Sequence, residues 1–455
     1  MKHKITFSVI AAAALASCTQ NEDFTSQYNE KAKTMKFDVA YVGKNTRATG
    51  EMNTSDLEQK KFILWGAAYE RTYSESDPST ETYDCSSGLW ITNKEPLTFA
   101  KSSASGYWEV SGESEQADKE VAYPGLNYRT YFTAIAPADE FAAASESSST
   151  TATYSMAGQK NTSSTSPTSS TRKLTLDNIP VVQEIDNNSS SLKGTDYLIA
   201  CQNSISEEVS LTFKHLLSKL RFAVWTDENT VPTSGGETTR IELNSLKIYL
   251  PKASTTATYV QKDHKAVAGD WTWSGFTAPN GNEEPSIEES GNYQLVPIYV
   301  KEETADGKVV SYYDNANTAH TNFDNIKLNP TFFIAPTEST TSSSSATTVK
   351  LYIDIEYTVK RKVNNQWSTT NEESKKNEEG QVYSAGHKVV TRTKMLVPIN
   401  DGTHPDDSNN EGLSHFHQGY IETLYICLRA DQKVTFSTNF DVDDWVKDPI
   451  DGKQL

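Results

Sequence analysis

Residues 209–224 read Val-Ser-Leu-Thr-Phe-Lys-His-Leu-Leu-Ser-Lys-Leu-Arg-Phe-Ala-Val, and their apolar parity changes half-way along. Val209, Leu211 and Phe213 are odd-numbered, whereas Leu220, Phe222 and Val224 are even-numbered. Alternation at period two marks a half-buried strand. A one-residue slip sends every side chain to the opposite face, so the flip between His215 and Lys219 requires a bulge or a switch of face. The pattern therefore predicts β-structure whose burial direction reverses there.

Other runs repeat the alternation without a flip. Leu351, Ile353, Ile355, Tyr357 and Val359 alternate with Tyr352, Asp354, Glu356 and Thr358. Leu424, Ile426 and Leu428 form one further face, and Val434, Phe436, Phe440 and Val442 fall among polar residues. Phe62 to Tyr69 is apolar on both faces and suits a central strand, and Tyr128 to Ala136 is another strand, closed by Pro137. No segment carries a 3.6-residue apolar repeat. Many short strands broken by Gly, Pro and Asn predict an all-β protein of sandwich domains. Ala142 to Thr171 is mostly Ser, Thr and Ala and reads as an exposed or disordered insertion.

The N-terminus carries a different signal. Lys2 and Lys4 precede an apolar stretch from Ile5 to Ala14, and Leu15-Ala16-Ser17 lead into Cys18. A basic start, an apolar run and small residues before a cleavage point make a secretory signal over residues 1–17. The run is too short to span a bilayer core of roughly 30 Å. Leu-Ala-Ser-Cys resembles the lipobox of bacterial lipoproteins, which implies Cys18 as the lipidated residue. Thr19 to Lys33 is a polar tether, and its Asn21-Glu22-Asp23 resembles acidic surface-export signals. Beyond it Met35, Phe37, Val39 and Tyr41 fall on one face of a half-buried strand. A polar loop follows at residues 43–50, Gly-Lys-Asn-Thr-Arg-Ala-Thr-Gly.

Composition excludes several classes of function. The formal charge of −18 and the lack of a basic patch argue against nucleic acid as a partner. No phosphate loop, nucleophile elbow or Cys–His arrangement is present, so no residue is assigned to catalysis, to a cofactor or to a metal. His404, Asp406, Asp407, His415 and His417 have metal-like chemistry but match no closed motif and read as a solvated loop. His215, between Phe213 and Leu217, reads as a structural histidine. Trp271 and Trp273 share a strand face and, with Trp90 and Trp108, could stack on sugar rings if exposed; core packing is the plainer reading. Cys85, Cys201 and Cys427 are odd in number once Cys18 is set aside, and imply no disulfide framework.

Asp196-Tyr-Leu-Ile-Ala-Cys, leading into Leu211-Thr-Phe-Lys-His-Leu-Leu-Ser-Lys-Leu-Arg-Phe, resembles the signature of the fimbrillin, or Mfa-like, family of type V pilus lipoproteins of Bacteroidota. Tyr131-Phe-Thr-Ala-Ile-Ala-Pro, Gly419-Tyr420 and Phe440-Asp-Val-Asp-Asp-Trp445 resemble further family segments. The resemblance implies two transthyretin-like β-sandwich domains in tandem, at 48–205 and 206–455. It implies transport to the outer membrane as a lipid-anchored precursor. Cleavage between Arg47 and Ala48 would then remove the tether and first strand, residues 18–47. Other pilus subunits would refill the groove by β-strand addition, and the assembled surface fibre would meet a host or bacterial receptor. A surface glycan-binding lipoprotein is the alternative. Pro449, in the stretch after Trp445, makes that stretch a poor donor strand, which weakens a stalk role and leaves a tip, anchor or accessory position open.

Cys18→Ala is expected to leave an unlipidated, uncleaved or mislocalised precursor. Equal incorporation of radiolabelled palmitate into this variant would contradict the lipobox reading.

Overall fold

The computed structural model describes residues 33–42, 52, 54–73, 81–92, 96–111, 120–142, 150–156, 172–185, 194–227, 238–251, 256–262, 271–274, 293–312, 327–336, 352–363, 366–369, 375–376, 382–384, 387–396, 418–419, 421–430 and 434–441. It is all-β, as the alternation predicts. Its α-helix among these residues is the short Thr54–Glu58.

The N-terminal strands are β1 (Lys36–Val42), β2 (Lys61–Tyr73), β3 (Glu81–Trp90), β4 (Leu97–Lys101), β5 (Trp108–Val110) and β6 (Tyr128–Ala136). With Leu198–Ser204 and Glu208–His215 they make an eight-stranded sheet. The order runs β3, β2, β4, β5, β1, then Glu208–His215, Leu198–Ser204 and β6. Because β2 also pairs with β6, the ladder closes on itself, leaving β3 as a branch. Closure removes most of the exposed edges that an open sheet would carry. Inside lie Phe62, Leu64, Phe99, Trp108, Phe132, Val209, Leu211 and Phe213, among others.

The parity flip marks a passage between two cores. Val209, Leu211 and Phe213 fill the first core, and Leu220, Phe222 and Val224 fill a second. That second core lies between two further sheets. One contains Ser218–Thr226, Lys327–Ile334 and Ile421–Leu428; the other contains Thr238–Pro251, Tyr293–Val300 and Tyr352–Val363. Ile353, Ile355, Tyr357 and Val359 of the clean alternating run enter it, as do Leu424, Ile426 and Leu428. The crossing itself is Leu216-Leu217, both fully buried in a third core that joins the sheets.

Two features differ from the linear division at residue 205. Glu208–His215 belongs to the N-terminal sheet, so the passage falls at Leu216-Leu217 and not before Val209. Arg172–Pro180 pairs with Thr256–Lys262, and Val182–Ile185 pairs with Lys327–Ile334, so strands from before residue 205 complete sheets built from later ones. The stretch Ala142 to Thr171 also holds a strand, Thr150–Met156, paired antiparallel with Arg172–Pro180. There backbone pairing, with Tyr154 stacked 5.7 Å from Trp65, overrides a composition that by itself favours disorder.

Gly419 fastens the crossing. Its N–H donates to the Leu217 carbonyl at 3.2 Å, and its φ of +74° lies in the left-handed region. A Cβ there would sit 3.3 Å from the His215 carbonyl oxygen. Gly419→Ala is therefore expected to destabilise the fold by about 1–2 kcal/mol, read as a lower urea midpoint; an unchanged midpoint would refute this account.

Candidate functional site

The site is the seat of β1. Its alternation brings Met35, Phe37 and Val39 to the inside, where each is at most 8% exposed. Phe37 sits edge-on to Phe99 at 5.0 Å and to Phe132 at 5.1 Å. Burying these three side chains contributes about 5–9 kcal/mol, at roughly 1.5–3 kcal/mol for each. On the backbone side β1 runs parallel to Glu208–His215, with Lys36 opposite Glu208, Phe37 opposite Val209 and Val39 opposite Leu211. On its other side it meets β5 at one position, Phe37 opposite Trp108. The segment before it is held too: Met35 N–H donates to the Val121 carbonyl and Tyr123 N–H to the Lys33 carbonyl, both at 2.7 Å.

The register shifts between Val39 and Tyr41, which leaves Tyr41 opposite Thr212 and Val42 opposite Phe213. A bulge at this point inserts one residue into the ladder. Cys18, Arg47 and Ala48 lie outside the described residues, as does the Tyr41 side chain.

Beyond residues 43–50 the chain is fastened independently of β1. Met52 N–H donates to Asp196 Oδ2 at 2.9 Å. The same carboxylate contacts His215 Nδ1 at 2.8–2.9 Å, and both of these side chains are almost wholly buried. His215 terminates the strand on which β1 lies. It is the structural histidine that its apolar neighbours predict, and its partner, Asp196, opens the Asp-Tyr-Leu-Ile-Ala-Cys motif. Met52 also packs against the first core, and Leu57 of the short helix is fully buried in it. Residues 43–50 therefore join two separately anchored pieces: β1 before them, and Met52 with the helix after them.

The aromatic candidates fare unevenly. Trp108 is not exposed: it is 2% accessible and packs 4.9 Å from Phe62, because β5 turns it into the first core. Trp273 is half-buried against Tyr259 at 5.0 Å, the core packing that the plainer reading expects. The side chains of Trp90 and Trp271 lie outside the described residues, as do His404, Asp406, Asp407, His415 and His417.

Sequence reasoning missed a polar cluster built around one buried carboxylate on the C-terminal sandwich. Glu242, with 2% of its side chain exposed, takes Arg240 at 2.6 Å and Lys360 at 2.9 Å; Lys360 also bonds Asp306 at 2.8 Å. Hydrogen bonding from Lys360 holds the Asp306 carboxyl below its usual range. Glu242 alternates with buried Ile241 and Leu243, a pattern that ordinarily sends the intervening residue to solvent. The cluster instead lies under the turn containing Gly307, where a Cβ would meet the Leu243 carbonyl oxygen at 2.6 Å.

No protein-family model and no curated protein matches the chain. Among solved structures, a fimbrial protein from Bacteroides vulgatus is 15% identical, with 89% of this chain and 98% of that one covered at a TM-score of 0.40. A candidate cell adhesion protein from Bacteroides ovatus is 11% identical over 90% of this chain and 96% of that one, at a TM-score of 0.36. Another from Bacteroides uniformis is 11% identical over 91% and 99%, at 0.32.

Asp196→Ala strands both the Met52 N–H and the His215 ring nitrogen. At about 1–3 kcal/mol for each of the two unsatisfied buried groups, it is expected to lower stability by about 2–6 kcal/mol in urea. A loss under about 0.5 kcal/mol, typical of a neutral surface change, would show that the carboxylate is not a clamp.

Proposed function

We propose that this chain is a structural subunit of a cell-surface pilus that assembles by strand exchange and mediates adhesion. The observation that carries the reading is the seat of β1. An N-terminal strand plugs an otherwise closed sheet with three apolar side chains, while its other backbone edge meets β5 at one position. Loss of such a strand uncovers an apolar floor and leaves the edge of Glu208–His215 unpaired, which is a template for another chain.

In this reading Cys18 carries the lipid that holds the precursor at the outer membrane. Arg47 is the site at which a trypsin-like protease cuts, releasing the lipid and β1 together. An arginine in a polar loop bounded by Gly43 and Gly50 is well suited to nicking, and Lys44 competes with it in the same loop. The new N-terminus at Ala48 begins only a few residues before Met52, so the Asp196 clamp keeps the cut end in place. Partner subunits then supply the replacement strand. The sequence motifs that resemble fimbrillins support the same reading independently of the geometry.

Trypsin under native conditions is expected to yield a product beginning at Ala48 that oligomerises or takes up an added strand peptide, and Arg47→Ala is expected to block maturation. Mass spectrometry with size-exclusion chromatography checks both. A cut product that stays monomeric and ignores such peptides, or surface fibres built from the uncut chain, would overturn the proposal.

A further inference from the structure

The apolar face of β1 does not by itself fix a register. Met35, Phe37 and Val39 recur every second residue, so a strand displaced by two positions would still present apolar side chains to the same core. What distinguishes the positions is the outward face. Lys33 pairs with Glu207 at 3.0 Å, and Thr34 donates to Glu120 at 2.6 Å. Lys36 pairs with Glu208 at 3.6 Å and lies 5.4 Å over the Tyr107 ring. Asp38 pairs with Lys101 at 3.4 Å; Lys101 also lies 4.0 Å from Glu58 and 5.9 Å over the Trp108 ring. The rim of the seat is thus acidic beside residues 33–36 and basic beside residue 38.

We infer that this rim selects the segment that replaces β1. The groove takes an extended strand of a partner chain that reads apolar–Lys–apolar–Asp–apolar and runs parallel to Glu208–His215. The inference rests on the strand-exchange reading above and specifies the chemistry of the incoming strand. Each of the three simple misplacements brings like charges together. Slipping the strand two residues one way sets an Asp beside Glu208. Slipping it two residues the other way sets a Lys beside Lys101. Reversing its direction about the Phe37 position does both. The exposed pairs add little affinity singly; the apolar side chains supply that. The charges act as a difference between the right seating and the wrong ones, which is how specificity is built.

The test uses the full chain nicked after Arg47. Two differently labelled synthetic peptides compete in one solution to displace the native segment. One has the sequence of residues 33–42, and the other carries Lys33→Glu, Lys36→Glu and Asp38→Lys. The unaltered peptide is expected to be incorporated about tenfold or more in excess, and the excess should shrink in about 1 M salt, where screening falls to about 3 Å. A protein carrying Glu207→Lys, Glu208→Lys and Lys101→Glu, at positions where the side chains are a quarter to three-fifths exposed, is expected to reverse the preference. Equal incorporation into the unaltered protein, or no reversal in the variant, overturns the charge-selection inference while leaving strand exchange standing. If neither peptide enters, strand exchange itself fails, and the inference with it.

Discussion

The parallel ladder between β1 and Glu208–His215 is the contact on which the N-terminal half depends. It fills the gap between β5 and Glu208–His215, and so lets the sheet close around its core. Glu208–His215 carries Val209, Leu211 and Phe213 inward on one side of the ladder; β1 carries Met35, Phe37 and Val39 on the other. The same strand ends in His215, whose partner Asp196 also accepts from Met52 beyond residues 43–50. It then passes through Leu216-Leu217 into the C-terminal sandwich. One strand therefore touches β1, the anchor of the chain beyond residues 43–50 and the connection to the rest of the molecule.

Much of this was legible in local pattern. The parity change in 209–224 located the passage between cores within the few residues where it occurs. Clean alternation at 351–359 and 424–428 identified the inward faces of the second sandwich, and the apolar environment of His215 identified it as structural. These succeed because burial on a pleated strand is decided residue by residue.

The rest depended on pairings between distant segments. Nothing local in Arg172–Pro180 or Val182–Ile185 announces that their partners lie at 256–262 and 327–334. The bulge after Val39 follows from the register of the partner strand, not from the composition of β1. Trp108 sits beside Glu109 in a polar neighbourhood and is buried only because β5 is brought against β4 and β1. Glu242 shows the same limit from the opposite side, as a charge placed on a strand's outer face and then covered by a turn.

The wide sequence separation of the β1 ladder also orders events in time. In the chain, β1 is separated from its partner strand by every other N-terminal strand of the closed sheet. Long-range pairings form slowly because loop closure precedes any gain from contact. The ladder that seats β1 is thus of the slow, long-range kind. Interactions that form after the rate-limiting step govern how fast a structure opens more than how fast it folds. A ladder formed late can determine the lifetime of the closed sheet without determining whether the rest of the chain reaches its shape.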